Sequence, residues 1–97
     1  MATFIILGNY TSQGITAIKE SPARLDAARQ GLGAIGVTIK DFFLTMGKYD
    51  IVAVVEAPDT ATAAKGLMVL GMAGNVGTVT MAALTESEFR DVVSALP

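Results

Sequence analysis

Apolar and polar positions divide this chain into seven segments with a strand-and-helix rhythm. Residues 3–10, Thr-Phe-Ile-Ile-Leu-Gly-Asn-Tyr, form a β-rich apolar run ending at turn-formers, the pattern of a strand buried on both faces. Thr11, Ser12, Gln13 and Gly14 break that run. Ser21-Pro22 reads as a helix start, with Ser21 as N-cap and Pro22 pre-set for the first helical position. Leu25, Ala28, Leu32 and Ile35 then recur at helical spacing, while Arg24, Asp26, Arg29 and Gln30 fall mainly elsewhere, so an amphipathic helix ending near Gly36 is predicted. Val37 to Met46 is a second strand, Gly47-Lys48 a short turn, and Tyr49 to Ala57 a third strand, joined so closely that a hairpin is required. Pro58-Asp59-Thr60 stops that strand and caps a helix over residues 60–73. Gly74-Asn75 ends the helix and Val76 to Leu84 is a fourth strand. Thr85-Glu86-Ser87-Glu88 places hydroxyls and acids where a final helix towards Ala95 begins.

The order βαββαβ plus a C-terminal helix predicts one α+β domain over residues 1–97, ferredoxin-like, with a four-stranded antiparallel sheet and two helices on one face. An open sheet face that met water would alternate with polar residues. These strands do not. On the third, Ile51, Ala53, Val55 and Ala57 share one face and Asp50, Val52, Val54 and Glu56 the other; on the first, Phe4, Ile6, Gly8 and Tyr10 oppose Ile5, Leu7 and Asn9. Leu67 to Leu70 are consecutive, so the second helix is apolar most of the way round. Such a patch exceeds what soluble monomers expose. The expected partner is a second copy of the chain, a homodimer with two open sheet faces packed together; the alternative is that the C-terminal helix folds over the sheet.

Composition sharpens this picture. The chain has 97 residues, 52% of them hydrophobic and only 16% charged, with net charge −2, no His and no Cys. Disorder is excluded. So are disulfides, thiol nucleophiles, imidazole bases and His- or Cys-held zinc or haem, and no cofactor or metal is expected. Nucleic-acid binding on such a sheet needs central-strand aromatics and a basic surface. The third strand has neither, so no nucleic-acid partner is expected. The N-terminus lacks a basic region and cleavage site, and Gly71, Gly74, Asn75 and Gly77 interrupt the long uncharged stretch from Gly66. No membrane association and a cytoplasmic location are therefore expected.

Candidate chemistry falls to Tyr, carboxylate and basic side chains. Tyr49 and Asp50, opening the third strand, are expected on opposite faces. Asp50 and Glu56 share a face about 20 Å apart at ~3.3 Å per residue, too far for a carboxylate pair. Asp50 either binds a polar ligand group at a barrel mouth or accepts backbone N–H bonds, with Tyr49 packing over the first helix. Lys19 and Arg24 flank the first helix start and either hold an anion or pair with Glu20 and Asp26. Asn9 and Tyr10 are expected at the end of the sheet opposite the hairpin, with Tyr10 near Glu56 at a pocket edge. Gly66 and Gly71 are expected to mark close helix packing.

Several blocks together resemble the GYD-domain family, small bacterial and archaeal proteins grouped with the dimeric α+β barrels. They are Leu7-Gly8-Asn9-Tyr10-Thr11-Ser12-Gln13-Gly14-Ile15, Ile18 to Pro22 with Arg24 and Leu25 to Ala28, Thr45-Met46-Gly47-Lys48-Tyr49-Asp50, Val54 to Pro58, and Gly74-Asn75-Val76. This sequence departs from the pattern at Ser12, where an acid is more usual, and at Lys48, which stands between the Gly and the Tyr-Asp. The resemblance implies the barrel-forming fold and leaves the chemistry open. The first reading is a homo-oligomeric binding or structural module that holds a small apolar or amphipathic molecule between two packed sheets. The second is a cofactor-independent monooxygenase or isomerase using Tyr, Asp and Lys.

Overall fold

The computed structural model describes residues 1–97 and follows the predicted order. It comprises β1 (Ala2–Tyr10), α1 (Ser12–Thr16), a 3-10 turn at Ile18–Glu20, α2 (Ser21–Ala34), β2 (Thr38–Leu44), β3 (Ile51–Ala57), α3 (Thr60–Ala73), β4 (Val76–Ala83) and α4 (Glu86–Ser94). The strands form one antiparallel sheet in the order β2-β3-β1-β4, the ferredoxin-like arrangement. No helix is long and apolar enough to cross a membrane.

Local chemistry explains most boundaries. Asp59 caps α3 by accepting the Thr62 N–H at 2.8 Å. Thr85 and Glu88 make a reciprocal capping box at α4. In both caps a carboxylate accepts a backbone N–H, from Thr62 to Asp59 and from Thr85 to Glu88, and that bond holds each carboxyl below its ordinary range. Gly74 ends α3 in the left-handed region at φ 78°. Two readings need correction. Ser21 lies inside the first turn of α2 and makes no cap bond, because its hydroxyl is engaged elsewhere. The Thr11–Gly14 break is itself a short helix, capped by Thr11, whose Oγ1 accepts the Gly14 N–H at 3.1 Å.

The core lies between the sheet and the helices. Phe4 and Ile6 of β1, with Ala53, Val55 and Ala57 of β3, meet Leu32 of α2, Ala63 of α3, and Val37 just before β2. Gly66 permits a close approach of α3 to this core, since a Cβ there would stand 3.1 Å from Leu32 Cδ2 and 3.3 Å from Val37 Cγ2. Gly71, expected to play the same part, faces open space.

The opposite face is uncovered. Strand register aligns Phe43, Val52, Leu7 and Val79 in one row across the sheet, and Val54, Ile5 and Met81 in the next. Phe43 is 55% and Val79 51% exposed. α4 does not fold over this face. It buries none of its residues and extends a body measuring 53 × 31 × 17 Å. Phe89, Val92, Val93 and Leu96, spaced as one helical stripe, are all about half exposed or more. At the β2 edge a bulge between Ile39 and Asp41 brings Lys40 to 3.7 Å from Glu56.

Candidate functional site

The residues singled out in the sequence separate into four places. Glu56 stands at the far end of β3, paired with Lys40 and opposite Thr3 of β1. Lys19 is exposed on the 3-10 turn. Asn9 is exposed on the uncovered side of the sheet, in register with Gly77. Tyr10, Tyr49 and Asp50 come together, against the expectation that Tyr10 and the hairpin lie at opposite ends. In an antiparallel pair the end of one strand meets the start of the next, and Gly8 pairs with Ile51. Tyr10 is therefore remote from Glu56.

The hairpin is also longer than predicted. Tyr49 and Asp50 belong to the connection between Leu44 and Ile51, so the alternating-face argument does not apply to them. Asp50 extends the β1–β3 ladder by one more rung. Its N–H donates to the Gly8 carbonyl at 2.9 Å, and its Oδ2 accepts the Tyr10 N–H at 3.0 Å. Thr45 closes the connection, donating its N–H to the Asp50 carbonyl and its hydroxyl to the Tyr49 carbonyl. Lys48 Nζ lies 5.8 Å from the Tyr49 ring centroid, a surface cation–π contact. Asp50 thus accepts a backbone N–H through one carboxylate oxygen. Asp50→Ala is expected to cost about 1–3 kcal/mol in urea unfolding, because it strips a part-buried N–H of its charged partner. Asp50→Asn, which keeps an acceptor oxygen, should lose less.

A concavity lies on the helix-bearing side of the chain, between α2 and α3; the ligand chamber expected between two packed sheets would require a second copy. The cleft has a volume of about 440 Å³ and 15 of its 21 lining residues are hydrophobic. Its size follows from small side chains. Gly8 and Ala53 form the floor, Ala27 and Ala28 one wall, and Ala73 the other. Larger residues at these positions would close the layer, as Leu32 and Val37 do over Gly66. Ile6, Ile51 and Val55 complete an apolar base.

Polar groups gather at one end. Tyr10 points to the helix side with Phe4, Ile6 and Gly8, and its hydroxyl lies 3.0 Å from Ser21 Oγ in the first turn of α2. Arg24, one turn further, is the only charged residue lining the cleft. Its guanidinium donates to Glu20 at 2.9 Å, in an exposed pair four residues apart. Asn75 and Thr78 border the same end. The carboxamide of Asn75 accepts from Gln13 Nε2 at 3.0 Å, and the Thr11 hydroxyl and N–H donate to the Gly74 and Asn75 carbonyls. Of the residues singled out in the sequence, Tyr10 and Arg24 border this cleft. Ser21 was read only as a helix cap, and the small-residue lining, whose signal was Ala53 and Ala73, was not read as a cleft. No three carboxylates converge as a metal site.

The arrangement is that of a two-layer α+β module whose sheet is bare on one side and whose helices enclose a cleft on the other. The GYD domain family model matches residues 4–93, and the chain belongs to that family. It is 36% identical over 85 residues to a glutamine synthetase and cystathionine beta-lyase binding protein of Thermus thermophilus, a match covering 87% of this chain and 90% of that protein. The backbone is also similar to the crystal structure of MtbAldR, with a TM-score of 0.69 at 17% identity. That likeness covers 88% of this chain but 52% of the other, and at this identity it is a likeness of fold.

Proposed function

We propose that the protein is a binding module in which two copies pair through their open sheet faces and the pair docks onto a metabolic enzyme through α4. The observation that carries the pairing is the uncovered apolar face, continuous across all four strands. Its large side chains suit direct sheet-on-sheet packing at about 10 Å. Surface area points the same way. The chain exposes 6419 Å², against about 5,200 Å² expected for a folded monomer of its mass. The excess is of the order that a stable interface removes from each partner.

Docking onto an enzyme is supported by the relative from Thermus thermophilus, whose description as a binding protein for two enzymes applies to a chain of nearly the same length. α4 suits that role. Its stripe Phe89, Val92 and Val93, continued by Leu96 just beyond the helix, follows the i, i+3, i+4, i+7 spacing by which an amphipathic helix enters a groove. The alternative of an oxygenase or isomerase has less support, since Asp50 gives one of its two carboxylate oxygens to the Tyr10 N–H.

The test is calorimetric titration of purified glutamine synthetase and cystathionine beta-lyase, from the cells that supply this protein, with the wild-type chain and with a Phe89→Ala, Val92→Ala double variant. Saturable binding to one enzyme, at least about tenfold weaker for the variant, is expected from loss of two buried anchors. No binding to either enzyme overturns the docking role. Equal binding by both forms overturns the assignment to α4.

A further inference from the structure

The cleft between α2 and α3 has no part in the pairing or docking just described, and its chemistry defines an occupant of its own. We propose that it binds a small amphipathic monocarboxylate, with the apolar body over Gly8 and Ala53 and the carboxylate at Arg24 beside Tyr10 and Ser21.

Three features on the helix side carry this. The cleft, at about 440 Å³, falls in the range of small-molecule sites. Its lining is apolar for most of its length, and the polar groups are confined to the end where β1 runs into α1 and α2 begins. The one formal charge on its walls is positive, and no carboxylate lines it. An apolar cation would bury its charge without a partner there, whereas a carboxylate meets a guanidinium and two hydroxyls. A neutral apolar molecule would leave the polar end unused.

Arg24 is available for this. Its present partner, Glu20, is 68% exposed, and an exposed pair four residues apart on a helix contributes little. The incoming carboxylate therefore competes with Glu20 for the same guanidinium. That competition sets opposite expectations for two neighbouring side chains, which a merely structural role for either would not produce.

The probe is octanoate, with octylammonium as its charge-reversed counterpart, titrated into the ¹⁵N-labelled protein. Octanoate is expected to shift the amides of Gly8, Tyr10, Ala28, Ala73 and Asn75 saturably while leaving Val52 and Val79 on the opposite face unmoved. Octylammonium should bind at least about tenfold more weakly, as should octanoate to Arg24→Gln, the effect of losing one charge-assisted contact. Glu20→Gln should tighten octanoate binding. Ala28→Leu, which fills the cleft with an apolar side chain, should abolish binding while leaving the thermal midpoint unchanged or raised. The proposal is overturned if octanoate does not saturate, if octylammonium binds as well, if the shifts map to Val52 and Val79, or if Arg24→Gln and Glu20→Gln change affinity in the same direction.

Discussion

Val79→Asp is expected to leave the chain folded and, with the pairing proposed above, to give a monomer of 10.0 kDa by light scattering where the wild-type chain gives a dimer. Val79 lies on β4 in the row that continues through Leu7, Val52 and Phe43, and it is 51% exposed in the single protomer. A carboxylate there can be hydrated as long as the face is open, so the cost to the protomer is small. In a face-to-face pair the same carboxylate enters a dry layer, where desolvating an unpaired charge costs several kcal/mol. Because 1.4 kcal/mol is tenfold in affinity, that penalty moves dissociation by two or more decades. Far-UV circular dichroism should be unchanged, and the thermal midpoint should lose its dependence on protein concentration. A monomeric wild-type chain would overturn the pairing, and a variant that keeps a dimeric mass would place the interface elsewhere.

Gly14→Ala is expected to be the most damaging conservative change in the chain, lowering unfolding free energy by about 3 kcal/mol in urea titration. A Cβ at Gly14 would collide with the backbone carbonyl oxygen of Asn75. That carbonyl cannot swing aside, because it accepts the Thr11 N–H at 3.0 Å, while Gly74 accepts the Thr11 hydroxyl at 2.7 Å and Gln13 reaches Ala73 and Asn75. Relief means separating the end of β1 from the connection between α3 and β4, and every one of these bonds would lengthen together. Gly31→Ala, in α2 with open space around it, serves as the comparison and should be neutral or mildly stabilising. Equal effects at the two positions would show that the α1 turn tolerates displacement.

The fold was legible because its signals are local. Continuous apolar runs and turn-formers marked the strands, and Asp59, Thr85 and Glu88 cap helices where their residue types suggested. The bareness of the second sheet face was legible as well, from Val52, Val54, Ile5 and Leu7 taking positions that water-facing strands give to polar residues. The candidate site was less so, since it depends on which strand ends meet. Tyr10 and Asp50 are forty residues apart in the chain and are joined by the register of β1 on β3. Ser21 looked like a cap because its side chain suits one, yet the nearby Tyr10 hydroxyl takes that bond. The cleft left only a faint trace, because an alanine facing a gap and an alanine in a tight contact are the same letter. Gly66 and Gly71 make the point within one helix: the first is pressed against Leu32 and Val37, the second touches nothing.

The bulge in β2 bears on how copies of this chain can associate at all. β2 is an outer strand, and an outer strand with free backbone groups invites another chain to continue the sheet without limit. Lys40, set in the irregular step between Ile39 and Asp41, interrupts the regular spacing that such an addition needs and places charges of both signs on the border. Growth by edge addition is thus discouraged on that side, so that the pairing proposed for the apolar face would be closed and finite in place of an endless ribbon.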